Sequence, residues 1–481
     1  MILSQLINRL SEYKDPQIDI DITGIHYDSR KIQPGHIFVA MRGHQTDGHR
    51  YITDAIKNGA CAIVAEIIPE HSSGATFIQV PDSRKALACI AKTFYENPSH
   101  RICLIGITGT NGKTTTAYLI ENILKAKGFA TGVISTIEYR YHDKVFPNPL
   151  TTPESLDLQR ILFEMYSNGI THVIMEVSSH ALELDRVQGC EYDVVVFTNL
   201  TQDHLDFHQT MEAYWQSKQK LFYPPYVSQK THAVINCYNR FGLELKKSIQ
   251  IPGIFIGQSE NHDIFCLNSA ISLSSIVGTV FTPKGKISLE SPLTGYHNLQ
   301  NIFCATGVGI ALGIPITDIA SGILATSSIP GRLERLTEFT DRYVFVDYAH
   351  TPDALENVIQ CIHQSMPKRL ITVFGCGGDR DRGKRPLMGK VASSLSDICI
   401  VTSDNPRSES PEAIINDICE GIPDLKSCVI EPDRKKAIKL AIKASCPEDV
   451  VLIAGKGHET YQILKDRTIA FDDRLCALGC M

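Results

Sequence analysis

Apolar runs in the middle of the chain alternate with segments of helical spacing. RICLIGIT, which begins at Arg101, is a short run rich in β-branched residues, and TTAYLIENILKAKG, which ends at Gly128, has the period of an amphipathic helix. Further apolar runs begin at Thr171, Tyr192 and Thr231. Buried strands that alternate with helices predict a mainly parallel sheet covered by helices on both faces.

A second series of apolar runs follows a break at Pro330 and Gly331. Its members are YVFVDYAH, RLITVFGCGGD, DICIVTSD and DVVLIAGKG, and each ends in a polar or glycine-rich turn. Binding sites in such α/β units lie beyond the carboxyl ends of the strands. Because the first hundred residues carry shorter apolar runs, we predict an α/β protein of three domains, namely 1–99, 100–331 and 332–481.

Composition and charge argue against several classes of protein. Lys and Arg number 47 against 53 Asp and Glu, so no general basic surface favours nucleic acid. No stretch reaches the ~20 apolar residues that a membrane span requires. The 15 cysteines are scattered and never spaced C-x-x-C, which argues against a zinc ribbon or a disulfide scaffold and favours reduced thiols in the cytoplasm.

The segment GITGTNGKTTT, Gly106 to Thr116, predicts a phosphate-binding loop because it follows a strand and opens a helix. Glycines let backbone N–H groups turn toward phosphate oxygens, Lys113 can contact the β- and γ-phosphates, and Thr114 can ligate Mg²⁺. The spacing departs from G-x-x-x-x-G-K-[ST], because Ile107 stands where the first glycine is expected. A glycine-rich turn with a solvated lysine is the alternative. ATP is favoured over GTP, since no N-K-x-D motif follows.

Carboxylates and histidines follow two of the predicted central strands. Glu176 ends one strand. The turn after the other holds Asp203, His204, Asp206 and His208. Such groups beside a phosphate loop suit a second divalent ion, and the alternative is a polar turn with a satisfied histidine. Lys218 and Lys220 lie on the next helical segment, where the pattern alone favours a solvated face.

Four polar turns end the strands predicted for the C-terminal region. They are DYAHTPDAL, GCGGDRDRGKRP, SDNPR and GKGHET. One such turn is more typical of structure than of function, but four at the same ends of successive strands favour a site. Arginines in these turns can bind carboxylates through two parallel hydrogen bonds.

Taken together, the motifs resemble those of the Mur ligases, in that family's order and over nearly the whole chain. The motifs are TGTNGKTTT, EVSSH, DHLDFH, HNLQN, PGRLE, DYAHTP, GDRDRGKRP, DNPR and GKGHE, with the helix that holds Lys218. The resemblance implies a first domain that binds a UDP-sugar substrate, a central P-loop domain that binds ATP, and a Rossmann-like C-terminal domain that receives an amino acid. Within this family, the motifs resemble more specifically the members that add the third residue of the peptidoglycan stem peptide.

Matched to the family, this chain has candidate residues for ATP and Mg²⁺. The ATP candidates are Gly109, Thr110, Asn111, Gly112, Lys113, Thr114, Thr115, Asn298, Asn301, Arg332 and Asp347. The metal candidates are Thr114, Glu176, His204 and Lys218. The resemblance identifies Lys218 with the family's carbamylated lysine, and it implies catalytic roles for Lys113, Lys218 and His204.

The resemblance also implies sites for two further substrates. The candidates for the UDP-muramoyl dipeptide are Ser29, His44, Gln45, Thr151, Thr152, Ser178 and Arg186. The candidates for the amino acid are Arg380, Asp404, Asn405, Pro406, Arg407, Gly455 and Glu459. Two positions depart from the family pattern, namely Leu184, where a polar residue is common, and Asn239, where aspartate is common.

The implied activity is an ATP-dependent ligation in the cytoplasm. ATP would convert the D-glutamyl γ-carboxylate of UDP-MurNAc-L-Ala-D-Glu into an acyl phosphate, which the amine of meso-2,6-diaminopimelate would attack. Diaminopimelate carries a second carboxylate that lysine lacks, and Arg407 could bind it. We expect a monomer that binds neither nucleic acid nor membrane. An L-lysine-adding ligase, a folylpolyglutamate-type ligase and a P-loop ATPase are the alternatives, and a metallohydrolase built on DHLDFH is the weakest.

Overall fold

The computed structural model describes residues 1–8, 10, 19–43, 46–69, 74–425 and 428–481. Contacts divide the chain into two compact units. The first holds Met1–Phe265, Phe281–Gly285 and Phe303–Gly322, and the second holds Cys266–Val280, Lys286–Ile302 and Ile323–Met481. Within the described residues, no helix has the length and apolar character needed to cross a membrane. No disulfide joins the described cysteines.

Four short parallel strands form a small sheet in the first unit. The elements of this region are α1 (Leu3–Ile7), β1 (Gly24–His26), β2 (His36–Val39), α2 (Ile52–Lys57), β3 (Ala60–Ala65), β4 (Thr76–Gln79) and α3 (Ser83–Phe94). The strand order is β1-β2-β3-β4. Alternation along β2 sends Ile37 and Val39 to the face that packs with α1 and α3, and Phe38 to the face that packs with α2.

The largest sheet has eight strands and also lies in the first unit. Its region contains β5 (Cys103–Thr108), α4 (Lys113–Ala126), β6 (Thr131–Ile134), β7 (Glu138–Tyr141), β8 (Lys144–Pro147), α5 (Ser155–Ser167), β9 (His172–Glu176), α6 (Ser179–Glu183), β10 (Val194–Phe197), α7 (Leu205–His208), α8 (Met211–Gln219), β11 (His232–Asn236), α9 (Arg240–Ser248) and β12 (Gly253–Ile256). The order is β12-β11-β10-β5-β9-β6-β7-β8, with antiparallel pairing only at β7 and β8. The prediction of a mainly parallel sheet is confirmed. The sequence pattern does not predict β7 and β8, because their side chains are largely half-buried or exposed and neither strand has a continuous apolar run.

A smaller sheet and two helices follow. They are β13 (Phe265–Ile271), β14 (Ile276–Thr282), β15 (Gly285–Ser291), α10 (Tyr296–Ala311) and α11 (Ile316–Leu324). The three strands pair in chain order. Burial alternates along β15, as expected for a strand with one face toward solvent.

A six-stranded sheet dominates the second unit. Its region contains β16 (Glu334–Arg335), β17 (Tyr343–Asp347), α12 (Pro352–Gln364), β18 (Leu370–Phe374), α13 (Lys384–Leu395), β19 (Ile398–Val401), α14 (Pro411–Cys419), β20 (Cys428–Ile430), α15 (Arg434–Ala444), β21 (Val450–Ala454), β22 (Tyr461–Ile463), β23 (Thr468–Ala470) and α16 (Asp473–Leu478). The order is β16-β17-β21-β18-β19-β20, parallel apart from β16, and β22 and β23 form a separate hairpin.

Helices cover both faces of this sheet. Phe345 and Leu452 pack in one core with α12, α13 and α14, and Val346 and Ile453 pack in another with α15 and α16. Because β17, β21, β18 and β19 run parallel, the four polar turns of the C-terminal region lie along one edge of the sheet.

Candidate active site

Strand β5 ends at Thr108, and a glycine-rich loop leads to Lys113, where α4 begins. Gly109 and Gly112 have φ values of +149° and +84°, which residues with a Cβ rarely adopt. A Cβ at Gly109 would also collide with the Thr198 hydroxyl. The loop therefore requires glycine at these positions.

The segment after β10 holds this loop. The N–H groups of Thr110 and Asn111 donate to the backbone and side-chain oxygens of Asn199, both at 2.9 Å. The Thr198 hydroxyl donates to the Asn111 carbonyl at 2.7 Å. Since β5 and β10 are parallel neighbours, two strand ends support the loop that precedes α4.

Two candidate residues at the start of α4 have polar partners. Lys113 Nζ donates to the carbonyls of Gly109 and Thr110, at 3.0 and 2.9 Å. Thr114 Oγ1 donates to Glu176 Oε1 at 2.8 Å, and Glu176 is fully buried at the end of β9. The structure thus brings a lysine, a hydroxyl and a carboxylate together at this loop.

Lys218 lies on α8 and is buried, with 1% of its surface exposed. Its Nζ donates to the Gly109 carbonyl at 2.8 Å and lies 4.5 Å from the centroid of the Tyr214 ring. Burial, and then the charge of Lys113, hold the pKa of Lys218 well below its usual range. The interpretation of this segment as a solvated face is wrong for Lys218, although it holds for Lys220, whose side chain is 43% exposed.

The histidines after β10 lie in two environments. His204 has a φ of +52°, and its ring centroid lies 4.7 Å from that of His180, which belongs to the EVSSH motif. Burial lowers the pKa of His204 and lowers the pKa of His180 to about 4, which favours the neutral form of both rings. His208 is buried, and its Nε2 lies 2.9 Å from the Ser179 hydroxyl. His208 is therefore a satisfied core residue, whereas 45% of the His204 side chain is exposed.

Several candidates for the UDP substrate adjoin Glu176. The Thr152 hydroxyl donates to the Glu176 carbonyl at 2.9 Å and accepts the Ser178 N–H at 3.1 Å. Arg186 Nη1 lies 3.5 Å from the Thr152 carbonyl, and Arg186 Nε lies 3.6 Å from Glu154 Oε2. Burial lowers the pKa of Arg186, and its buried Nε makes no hydrogen bond. The Nε side of the Arg186 guanidinium thus faces the Glu154 carboxylate, and the rest of the guanidinium is suited to bind a further anion.

The other candidates for this substrate are distributed differently. Thr151 Oγ1 lies 3.1 Å from the Thr136 hydroxyl, which donates to the Glu176 carboxylate, so Thr151 joins the same cluster. Ser29 is buried just after β1 of the small sheet. His44 and Gln45 lie outside the described residues.

The remaining ATP candidates belong to the second unit. Asn298 and Asn301 are buried early in α10, and Asn301 Nδ2 donates to Asn298 Oδ1 at 3.0 Å. Asp347 ends β17, where its carboxylate accepts the Leu333 N–H at 2.6 Å. Burial raises the pKa of Asp347, and the nearby Arg332 charge opposes that effect. The structure thus brings Arg332 and Asp347 together.

The turns after β19 and β21 meet at Gly455. This residue has a φ of +113°, and a Cβ there would lie 2.6 Å from Asp404 Oδ2, so a larger residue would separate the two turns. The hairpin of β22 and β23 supports the same region. Gln462 Nε2 donates to the Asp404 carbonyl at 2.6 Å, and the Arg407 N–H donates to the Ile463 carbonyl at 3.1 Å.

Both signs of charge surround the ring of Tyr461. Burial, and then the Glu459 carboxylate, raise the pKa of Tyr461, whereas the Arg407 guanidinium lowers it. Arg407 has a φ of +52°, and its Nη1 donates to the Gly378 carbonyl at 2.8 Å. Arg380 lies on the exposed loop after β18. Asn405, two residues before Arg407, donates to Glu459 Oε2 at 2.8 Å, so Arg407 and Glu459 belong to neighbouring turns.

A buried lysine links two of these candidates. Lys456 Nζ donates to Glu459 Oε2 at 2.9 Å and to Asn405 Oδ1 at 3.2 Å. Asn405 Nδ2 donates to the same Glu459 oxygen at 2.8 Å. Lys456 stands in the GKGHE motif, but the motif alone does not reveal whether this lysine is buried.

A buried ion pair next to these turns has no sequence signal. Arg434 and Asp473 are fully buried, with Nη2 and Oδ2 2.7 Å apart. The guanidinium also donates to the carbonyls of Ala454, at 3.0 Å, and Ser403, at 3.5 Å. The pair thereby ties the end of β21 to the end of β19.

The two departures from the family pattern occupy helix ends. Asn239 is the N-cap of α9, where its side chain accepts the Gly242 N–H at 3.1 Å. Aspartate and asparagine both cap helices well, so either residue can serve here. Leu184 is the C-cap of α6 and uses only its backbone N–H.

Family models match most of the chain. The model of the Mur ligase middle domain matches residues 107–309. The model described as Mur ligase, glutamate ligase domain matches residues 331–457, and the model described as Mur ligase family, catalytic domain matches residues 21–95.

Individual proteins are similar over nearly the full length. A UDP-N-acetylmuramoyl-L-alanyl-D-glutamate--2,6-diaminopimelate ligase of Solibacter usitatus is 46% identical over 458 residues, which cover 95% of this chain and 93% of that protein. A solved structure that bears the same name has a TM-score of 0.73 at 30% identity and covers 100% of this chain and 98% of its own. The structure of a MurF ligase from Thermotoga maritima in complex with ADP has a TM-score of 0.63 at 22% identity, with 90% and 94% covered, and is alike in fold.

Proposed function

This chain belongs to the Mur ligase family, and from that premise we propose that it joins meso-2,6-diaminopimelate to the D-glutamyl γ-carboxylate of UDP-MurNAc-L-Ala-D-Glu, using ATP. The observation that carries the proposal is that the turn holding Asp404 and Arg407 meets the turn holding Glu459. Asn405 Nδ2 donates to Glu459 Oε2 at 2.8 Å, and a Cβ at Gly455 would lie 2.6 Å from Asp404 Oδ2. The far end of diaminopimelate carries a carboxylate and an ammonium, which complement these charges. The relative that is 46% identical bears the corresponding name.

The loop before α4 fits the phosphates of ATP. Gly109 and Gly112 turn the backbone, and the N-terminus of α4 adds N–H groups and a positive dipole. Lys113 would direct its ammonium at the β- and γ-phosphates, where it would stabilise charge during transfer. The other proposed ATP contacts are Thr110, Asn111, Thr114, Thr115, Asn298, Asn301, Arg332 and Asp347.

The oxygen donors at the end of β9 fit Mg²⁺. Thr114 Oγ1 and the Glu176 carboxylate are hard ligands of the kind that this ion prefers. A bound ion would neutralise charge on the phosphoryl group. We assign His204 and a carbamylated Lys218 as further ligands. Since no three described His, Cys, Asp or Glu side chains converge on one point, phosphate oxygens and water would complete the coordination.

Lys218 is suited to carbamylation because its amine is buried. Only a neutral amine attacks CO₂, and burial together with the nearby Lys113 charge favours the neutral form. The nitrogen would bond to the carbon of CO₂ and release one proton, which leaves a carboxylate at the end of the side chain. That product is a ligand for Mg²⁺, whereas the ammonium would repel the ion.

Arg186 is the proposed receptor for a carboxylate of the dipeptide. Its buried Nε makes no hydrogen bond, and Thr152 lies beside the guanidinium. Nε faces Glu154 at 3.6 Å, so the terminal nitrogens of the guanidinium would contact the substrate. The other proposed contacts are Ser29, His44, Gln45, Thr151, Thr152 and Ser178.

The proposed chemistry takes two steps. A γ-carboxylate oxygen of D-glutamate attacks the γ-phosphorus of ATP, which forms the acyl phosphate and releases ADP. The amine nitrogen of diaminopimelate then attacks the acyl carbon, and the tetrahedral intermediate expels phosphate while the nitrogen loses a proton. The protein contributes positioning and stabilisation of charge more than covalent catalysis.

The three-domain division and the assembly remain proposals. We assign the UDP substrate, ATP and the amino acid to residues 1–99, 100–331 and 332–481 in that order. We also assign a monomer that acts in the cytoplasm, where ATP and the nucleotide-linked precursor are available.

One assay tests the proposed function. It measures ADP release by the purified protein with UDP-MurNAc-L-Ala-D-Glu and a panel of amino acids. We expect release that requires the UDP substrate and meso-diaminopimelate together, and a product heavier by one diaminopimelate residue. Release with L-lysine in its place would identify the lysine-adding alternative, and release without any amine would identify an ATPase.

A further inference from the structure

Lys456 is a buried charge that the proposed reaction does not use. It is 0% exposed and lies in the turn between Gly455 and Gly457. Its Nζ lies 2.9 Å from Glu459 Oε2 and 5.6 Å from the centroid of the Tyr461 ring. Lysines usually keep the ammonium in water, and a buried one requires a partner. We therefore expect Lys456 to have a role that requires a buried ammonium.

Lys456, Glu459 and Asn405 form a closed set of hydrogen bonds. Lys456 donates to both partners, and Asn405 Nδ2 donates to Glu459 Oε2 at 2.8 Å. Asn405 Oδ1 also accepts the Ile463 N–H at 2.9 Å, which fixes the orientation of the amide. Two donors thus hold Glu459 Oε2, whereas no described residue donates to Glu459 Oε1.

We propose that Lys456 is a positioning residue that holds Glu459 by one carboxylate oxygen, so that the other oxygen receives the ammonium of the incoming amino acid. The inference rests on the proposed function, because it assumes that Glu459 contacts the amino acid. Lys456 itself acts through Glu459 and Asn405, which its ammonium contacts directly.

The charges around Glu459 explain why the Lys456 ammonium lies next to the carboxylate that would accept the substrate ammonium. Asp404 lies against Gly455, and its neighbour Asn405 donates to Glu459, so two carboxylates share this region. The Lys456 ammonium offsets their repulsion, and one ammonium from the substrate can then be bound without excess negative charge. Arg407 remains for the carboxylate at the same end of the substrate.

The test uses the full chain with ATP, UDP-MurNAc-L-Ala-D-Glu and meso-diaminopimelate. Lys456→Met removes the ammonium and keeps most of the side-chain volume, and Lys456→Gln keeps a donor without the charge. Lys390→Met is the matched control, because Lys390 is exposed in the same unit. The KM for each of the three substrates and kcat are measured for every variant.

We expect Lys456→Met to raise the KM for diaminopimelate roughly tenfold or more, while the KM values for ATP and the UDP substrate stay unchanged. Lys456→Gln should raise the same KM by less, and Lys390→Met should match the wild type. The double variant Lys456→Met/Glu459→Gln should have nearly the same KM for diaminopimelate as Glu459→Gln alone, because both substitutions disrupt the same contact with the substrate ammonium. A purely structural role would instead shift all three KM values together.

The inference is overturned if either folded Lys456 variant keeps the wild-type KM for diaminopimelate. It is also overturned if the increase in KM for the double variant equals the product of the increases for Lys456→Met and Glu459→Gln. Should Lys456→Met fail to fold, Lys456→Gln alone decides. Failure of the proposed function looks different, since the wild type itself would then not use diaminopimelate. In that case the same variants are assayed with the amino acid that the wild type does use.

Discussion

Two of the described lysines are buried, one in each compact unit, and their surroundings differ. Lys218 Nζ donates to the Gly109 carbonyl, and no described carboxylate lies within ion-pair distance of it. Lys456 Nζ lies 2.9 Å from the Glu459 carboxylate. Burial alone therefore does not define what a lysine does in this protein.

The charges around each amine decide which chemistry it supports. Burial and the nearby Lys113 charge lower the pKa of Lys218, which favours the neutral amine, and a neutral amine is a nucleophile toward CO₂. An ammonium buried against a carboxylate forms an ion pair, in which each charge compensates the burial of the other. The first unit thus provides Lys218, which can be carbamylated, and the second unit provides Lys456, a fixed cation next to the Glu459 carboxylate.

The largest effect should appear in the choice of amino acid, which depends on the paired charges of the second unit. L-Lysine would leave Arg407 without an anionic partner, so we expect kcat/KM for meso-diaminopimelate to exceed that for lysine by roughly 10⁴. Arg407→Ala should remove most of this preference. Equal kcat/KM values for the two amino acids in the wild type would contradict the assignment.

The next effect concerns the phosphate loop of the first unit. Lys113→Ala should lower kcat for ligation roughly 10³-fold, because it removes the charge over the transferred phosphoryl group. The fold should be retained, as circular dichroism and a urea titration would show. A folded variant with a third of the wild-type turnover would refute the ATP site.

The carbamate proposal predicts a smaller but diagnostic loss. Lys218→Ala should lower kcat roughly 10²-fold, and added acetate should restore part of it by supplying a carboxylate. Labelled bicarbonate should be incorporated at Lys218 and not at Lys456, as trapping and mass spectrometry would reveal. Normal activity of Lys218→Arg would exclude a carbamate, because a guanidinium cannot form this ligand.

Unfolding free energies separate the two buried lysines directly. Lys456→Met breaks a buried ion pair and should lower the free energy of unfolding by about 3 kcal/mol. Lys218→Met removes an amine that has no carboxylate partner and should change it by less than about 1 kcal/mol. Urea titrations of both variants test this difference, and equal losses would show that the partner does not matter.

The smallest effect is expected at Lys220, which serves as the exposed control for Lys218. Its pair with Glu183 spans 2.7 Å, but both side chains are more than two-fifths exposed. Lys220→Met should therefore change the free energy of unfolding by no more than about 0.5 kcal/mol and leave ligation unchanged. A large loss of activity would mean that burial does not distinguish the two positions.

Local pattern was enough to predict the parallel sheets and the loop before α4. Runs such as RICLIGIT are continuous and apolar because parallel strands are buried on both faces. The loop needs glycine for its backbone at Gly109 and Gly112, and this requirement is visible in the residue types themselves. Strands β7 and β8 lacked such a signal, since their side chains are only partly buried.

The environments of the charged side chains were decided by the tertiary structure. Lys218 meets a carbonyl 109 residues away, and Lys456 meets Asn405 51 residues away. A helical pattern at Lys218 describes only its own helix and cannot show what packs across it, so the solvated face was the wrong expectation there. Sequence by itself determined where the continuous apolar strands lie and which chemical groups follow them. Only the packing of distant segments decided which amine has a lowered pKa and which one meets a carboxylate, because desolvation and ion pairing depend on neighbours in space.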